Sequence, residues 1–350
     1  MKHGLLRSGG AVLALLAMLG SAAAAPCLRG FNLAGAEFGK LPGALDKDYT
    51  YPAPATIDTF VATGASVIRL PVRWERLQPA LGEPLSETEL AALDATVDAV
   101  TAAGLTVVID VHNYGYYAEK QIGSADVPIE SFAQFWARLA SHYAGRDGVV
   151  FSLMNEPYDI AAPDWLKITN AAIAAIRVIG ADNLILVSGT AYAGAHSWSK
   201  SLATGNNAAV MAGVVDPANR YAYDFHQYLD ADFSGRNAEC SGAEAAIEGI
   251  RSVTGWLKAH GKHGFLGEFA ASKDAACVAK MKELVAAVDN APDQWIGWTY
   301  WAGGAWWPAD YIFTAQPDGD GDRPQVAALK PVLGHDNGSS CTVPAKGPTP

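Results

Sequence analysis

The chain has 350 residues, 50% of them hydrophobic, and its 25 basic and 36 acidic residues give a net charge of −11. That length fits one large barrel domain or two smaller ones, with ample apolar content for a buried core. So acidic a chain is a poor match for nucleic acid or anionic lipid and suits a neutral substrate.

Met1–Ala25 is expected to be a secretory signal. Lys2 and Arg7 give a positive start, Ala11–Leu19 is a short apolar run, and Ser21–Ala25 supplies small residues for cleavage. The run is too short to cross a membrane, and no later segment is long and apolar enough. The folded domain is expected over residues 26–341, with a Pro-rich tail at 342–350. Cys27, Cys240, Cys277 and Cys341 are an even number in an oxidising compartment. Of the pairings that four cysteines allow, Cys240–Cys277 would close a local loop. Cys27–Cys341 would then tie the two ends of the domain, which often lie close together. No two cysteines have the close spacing of a zinc site.

Strands are expected at Gly30–Gly35, Ser66–Val72, Leu105–His112, Val149–Met154, Asn183–Ser188, Tyr221–Tyr228, Gly264–Gly267 and Trp295–Trp301. Helices fall between them: Thr56–Thr63, a helix opened by Ser86, Ile129–Tyr143, Asp164–Ile179, Glu244–His260, Lys273–Val288 and Arg323–Leu333. Ser86 and Glu89 have the spacing of a capping box, and Leu90, Leu93, Val97 and Val100 mark a buried stripe. Strands alternating with helices imply parallel strands joined by right-handed crossovers. Eight of them fit an α/β fold, the closed (β/α)₈ TIM barrel, as a single domain. The rival, a doubly wound open sheet, lacks a G-x-G-x-x-G turn after the first strand.

In such a barrel the active site lies at the carboxyl ends of the strands, where the unusual polar residues of this chain fall. Phe151–Pro157 reads as a buried strand ending in Asn155-Glu156-Pro157, and Pro157 biases Glu156 towards extended backbone. Phe265–Phe269 repeats the pattern with Glu268. Arg69 interrupts an apolar strand, Asp110 and His112 share one strand face, His226 and Tyr228 share another, and Trp301 ends the last strand. Each has a structural reading, as a buried ion pair, a satisfied histidine or core filler. Their coincidence on one rim favours chemistry, and two facing carboxylates are what glycosidic cleavage requires.

These residues also carry a resemblance. Arg69 in IRLPVRWE, His112 in DVHNYG, Asn155-Glu156-Pro157 in FSLMNEP, His226 and Tyr228 in DFHQYLD, Glu268 in FLGEFA and Trp301 in WTYWAGG resemble the recurring set of glycoside hydrolase family 5. The match runs in order from about Gly30 to Leu333, and is most similar to the endo-β-1,4-glucanases of that family. The resemblance implies a retaining mechanism with Glu156 as acid/base and Glu268 as nucleophile. Arg69 and Tyr228 would hold Glu268 as an anion. Asn155 would bond the sugar 2-hydroxyl, His226 would orient Glu156, His112 would bond a hydroxyl of the same sugar, and Trp301 would offer its face to the ring. Asn113, Tyr116, His196 and Trp198 are candidates for further subsites. Relatives tend to carry tryptophan where GTAYAGAHSW has Tyr192.

The expected partner is a β-glucan polysaccharide or oligosaccharide, bound by a secreted monomer without cofactor or metal. Alternatives from the sequence are the same chemistry on β-mannan, xyloglucan or mixed-linkage glucan, a metallohydrolase barrel using His112, His226 and Asp110, or a sugar-binding barrel without catalysis. Asp318–Asp322 invites a calcium reading, but Arg323 stands where the loop template needs glycine and Leu329 where it needs glutamate.

Overall fold

The computed structural model describes residues 23–317, 319, 321–334 and 340–345. Most of the expected signal, part of the Asp318–Asp322 turn and the end of the tail lie outside them. Eight parallel strands close a barrel: β1 (Leu28–Leu33), β2 (Val67–Val72), β3 (Thr106–Val111), β4 (Val149–Ser152), β5 (Ile185–Ser188), β6 (Tyr221–His226), β7 (Gly264–Glu268) and β8 (Trp295–Gly303). Neighbours in the ring are neighbours in sequence, and β8 pairs with β1 to close it. Each strand is followed by a helix: α1 (Pro54–Val61), α2 (Glu87–Ala102), α3 (Ile129–Tyr143), α4 (Ala162–Val178), the single turn α5 (Asn207–Val210), α6 (Ala243–His260), α7 (Ala275–Asp289) and α8 (Pro324–Leu333). This is the expected (β/α)₈ barrel. The helix α5, one turn long, carries no periodic pattern for a sequence reading to find. Among the described residues no helix is long and apolar enough to cross a membrane.

The local signals act as expected, with two exceptions. Ser86 accepts the Glu89 N–H at 3.3 Å and starts α2, but the Glu89 carboxylate does not return the bond. It accepts instead from the hydroxyls of Tyr49 and Tyr51, at 2.7 and 2.8 Å. The second exception is the chain's start. Ala23–Pro26, at the expected junction of signal and domain, pairs antiparallel with Ser340–Val343. This ribbon lies against the bottom of the barrel, where Cys27 is bonded to Cys341. Cys240 is bonded to Cys277, so both expected pairs form.

The barrel interior changes character with height, and this positions the site. Val67, Val108, Val150, Ala222 and Phe265 form one apolar layer low in the barrel. Two residues further along each strand, on the same face, stand Arg69, Asp110, Ser152, Asp224 and Gly267. The outer faces of the strands pack on the helices. There Phe132, Phe135, Trp136 and Tyr143 of α3 are fully buried.

Candidate active site

Arg69, with no exposed surface, organises the upper layer. One terminal nitrogen of its guanidinium donates to Asn32 Oδ1 and Glu268 Oε1, each at 2.8 Å. The other donates to Asn155 Oδ1 at 2.8 Å and pairs with Asp110 Oδ1 at 3.0 Å. One planar cation thus joins β1, β2, β3, β7 and the loop after β4, a use of the guanidinium fork that lysine could not copy. Burial disfavours its charge, but Asp110 and Glu268 outweigh burial and raise its pKa.

Glu268 is held at both oxygens. Arg69 donates to Oε1, and the Tyr228 hydroxyl donates to Oε2 at 2.6 Å. Burial alone would raise this carboxyl. The charges of His226, Arg69 and His112 and the Tyr228 hydrogen bond overcome it and lower the pKa. A register shift next to Gly267 sets Glu268 directly beside His226.

Glu156 enters from the loop after β4. Its backbone has φ of +43°, not the extended conformation that Pro157 favours. The tertiary contact overrides the local preference: in this conformation the carboxylate reaches His226 Nδ1 at 2.7 Å. The same nitrogen lies 3.5 Å from Glu268 Oε2. Oxygens of Glu156 and Glu268 and a ring nitrogen of His226 lie within 4.8 Å of one another. Retaining glycosidases place their carboxyl groups about 5–5.5 Å apart and inverting ones about 6.5–9.5 Å, and the close approach of these oxygens is compatible with the retaining arrangement. The three groups are also close enough to hold a cation. An ion there would displace the donors that already occupy Glu268.

His112 Nδ1 lies 2.8 Å from Asp110 Oδ2, and its Nε2 lies 3.2 Å from both Asn155 Nδ2 and the Tyr114 hydroxyl. Trp301 lies nearly parallel to the His112 ring at 5.5 Å, and its Nε1 donates to the Tyr311 hydroxyl. A cavity of about 610 Å³ runs from Glu156 along the other side, past Tyr192, His196, Phe233 and Arg236. His196 stacks on Phe233 at 4.1 Å. Tyr192 stacks on Tyr158 at 5.1 Å with 4° between planes, and Tyr116 follows at 5.2 Å. Arg69, His112, Asn155, Glu156, His226, Tyr228, Glu268 and Trp301 therefore meet at one centre, with His196 and Tyr116 further out.

Two sequence candidates do not face the cleft. Trp198 is fully buried among Tyr223, Phe225 and Trp256 on the outer side of the barrel wall. Asn113 is buried with its amide committed to the protein. Its Oδ1 accepts from Trp74 N–H, and its Nδ2 donates to Glu75 and to the Tyr116 carbonyl. Both sit inside motifs that resemble the family, but packing turns them away. Conversely, Asn32, Glu37 and Tyr311 belong to the site but lie outside the quoted motifs, while Tyr114 and Asp224 lie inside DVHNYG and DFHQYLD beside the residues singled out there. Burial pushes the Glu37 carboxyl up to about 7 against the pull of His112.

Comparison with known proteins bears on what such a centre does. The endo-beta-1,4-glucanase B of Emericella nidulans is 36% identical over 309 residues, 85% of this chain and 91% of the relative. A solved structure of the endo-beta-1,4-glucanase Xac0029 from Xanthomonas axonopodis pv. citri is 43% identical with a TM-score of 0.85, covering 88% of this chain and 98% of that one. A structure of XacCel5A in complex with cellopentaose has the same identity and TM-score and covers 88% of this chain and 99% of that one. The sequence profile described as cellulase (glycosyl hydrolase family 5) matches residues 28–304. With that match spanning most of the barrel, the chain belongs to glycosyl hydrolase family 5 and is a retaining glycoside hydrolase.

Proposed function

We propose that the enzyme is a secreted endo-β-1,4-glucanase in which Glu156 is the acid/base and Glu268 the nucleophile. The observation that carries the roles is the asymmetry of the two carboxylates. Glu268 accepts from Arg69 and Tyr228 and is held as an anion. Glu156 meets the shared His226, and its side chain is 17% exposed against 5% for Glu268.

In the first step Glu268 attacks the anomeric carbon and the bond to the departing oxygen breaks. The Glu156 proton goes to that oxygen. In the second step water attacks the same carbon, gives a proton to Glu156, and the ester to Glu268 breaks. Charge develops on the ring as these bonds break, and a fixed anion beneath it stabilises that state. Asn155 offers its remaining amide hydrogen to the 2-hydroxyl, and His112 a contact to a neighbouring hydroxyl. Trp301 presents its face to the sugar.

The substrate class follows from the relatives' glucanase activity and from aromatic rings on both sides of the centre, which suit a polymer bound in mid-chain. Two disulfides and the leader-like start support export, and the reading is of a monomer. The test is sugar release from carboxymethylcellulose, galactomannan, xyloglucan and barley glucan, with and without chelator. Activity on carboxymethylcellulose that survives chelation, with viscosity falling faster than reducing ends appear, is expected. Preference for galactomannan or xyloglucan would move the substrate. Loss on chelation with recovery on adding a divalent ion would overturn the roles.

A further inference from the structure

The upper layer of the barrel holds a carboxylate that the two steps above do not use. Asp224 lies on β6 two residues before His226, so both side chains point into the barrel. It has no exposed surface. Its Oδ2 accepts from Ser152 Oγ at 3.3 Å and lies 4.0 Å from His226 Nε2. Asp224 Oδ1 and His226 Nε2 have no hydrogen-bond partner, an uncommon state for buried polar atoms. Gly267 makes the space, because a Cβ there would lie 2.3 Å from Asp224 Oδ1. A carboxylate is thus lodged under the far edge of the imidazole whose near edge touches both glutamates.

We propose that Asp224 is a positioning residue of the acid/base step, supporting the protonated form of His226 from below so that Nδ1 keeps a proton facing Glu156 and Glu268. The inference rests on the roles proposed above for the two glutamates. His226 is faced by Glu156 from the loop after β4, by Glu268 from β7 and by Asp224 from its own strand. Asp224 is faced by Arg69 from β2, Asp110 from β3, Ser152 from β4 and Glu268 from β7. Burial opposes charge on His226, but Glu268, Glu156 and Asp224 raise it to about 9. Burial pushes Asp224 up to about 6, opposed by His226 and Arg69. Above that pH Asp224 is an anion and the support is in place.

The test is Asp224→Asn in the full chain, which keeps the shape and removes the charge. His226 is followed by NMR, its signal identified by its absence in His226→Gln. Its titration midpoint is expected to fall by about one pH unit, a ~10-fold loss of proton affinity. An unchanged or raised midpoint overturns the proposal, whatever happens to kcat. If Asp224→Asn does not fold, Asp224→Ser decides. It also removes the carboxylate 4.0 Å from His226 Nε2, so the midpoint should again move down. No movement there is equally fatal. The NMR readout does not depend on activity, so it separates failure of this inference from a reversal of the glutamate roles.

Discussion

The guanidinium of Arg69 lies 2.8 Å from the carboxylate of Glu268, with side chains 0% and 5% exposed. A charge pair this deep is costly to assemble and more costly to break, because the survivor stays buried and unpaired. In the roles proposed above, its value is in keeping one carboxylate ionised a few ångströms from the proposed proton donor, Glu156.

Removing the cation should therefore show in both stability and pH dependence. Arg69→Met leaves Asp110 and Glu268 uncompensated and is expected to destabilise the fold by about 3–5 kcal/mol, read by urea denaturation. The pKa of Glu268 is lowered in the folded protein. Its contribution to stability is thus present above the unfolded carboxylate pKa and lost as pH falls through the folded value. Without Arg69, one of the charges that oppose burial is lost and the folded value rises. The acid limb of kcat/KM should move to higher pH, and an unmoved limb would remove Arg69 from this role.

The two glutamates should separate on activated substrates. Glu268→Gln is expected to abolish both steps with every substrate. Glu156→Gln removes proton donation and base assistance, worth about 10²–10⁴ in rate on polymer. On an aryl cellobioside with an acidic phenol it should still release a burst of phenol, and azide should speed turnover and yield a β-glycosyl azide. A burst from Glu268→Gln and a dead Glu156→Gln would reverse the roles.

The stacked pair Tyr158–Tyr192 flanks the cavity beside Glu156. Tyr192→Ala removes an aromatic face 53% exposed to solvent. Loss of a ring contact is worth about 0.5–1.5 kcal/mol, so KM for long oligosaccharides should rise by a few-fold to about tenfold. An aryl cellobioside, whose short leaving group does not extend along this wall, should change little. Equal effects on both substrates would place Tyr192 outside the binding wall.

Cys240–Cys277 ties the loop after β6 to the first turn of α7 across 37 residues. Replacing both with serine is expected to reduce stability by up to about 4 kcal/mol on the chain-entropy account. Thiol titration of the denatured, unreduced wild type should find essentially no free thiol. Two per chain would contradict one of the bridges, and four would contradict both.

The order of strands and helices was legible in the sequence because each element carries its own period and its own stops. The helix α3 begins and ends at the expected Ile129 and Tyr143, fixed by an aromatic stripe that only one helical face can bury. The central residues were legible because charged and amide groups at the ends of apolar strands have no other place in a barrel. Motif membership did not settle which way a side chain points. Trp198 and His196 share one segment, yet Trp198 is buried outside the barrel wall and His196 lines the cavity. The left-handed backbone of Glu156 contradicts its local preference, because the contact with His226 lies 70 residues away. Asn32 lies outside the quoted motifs and Asp224 heads DFHQYLD, yet both matter because closure of the barrel brings them beside Arg69 and His226. Local periodicity and strand-end chemistry are written in consecutive residues, so the sequence by itself determined the barrel and which polar groups gather at its rim. Distances, burial and the sharing of protons arise between strands remote in the chain, and only the closed tertiary structure decided them.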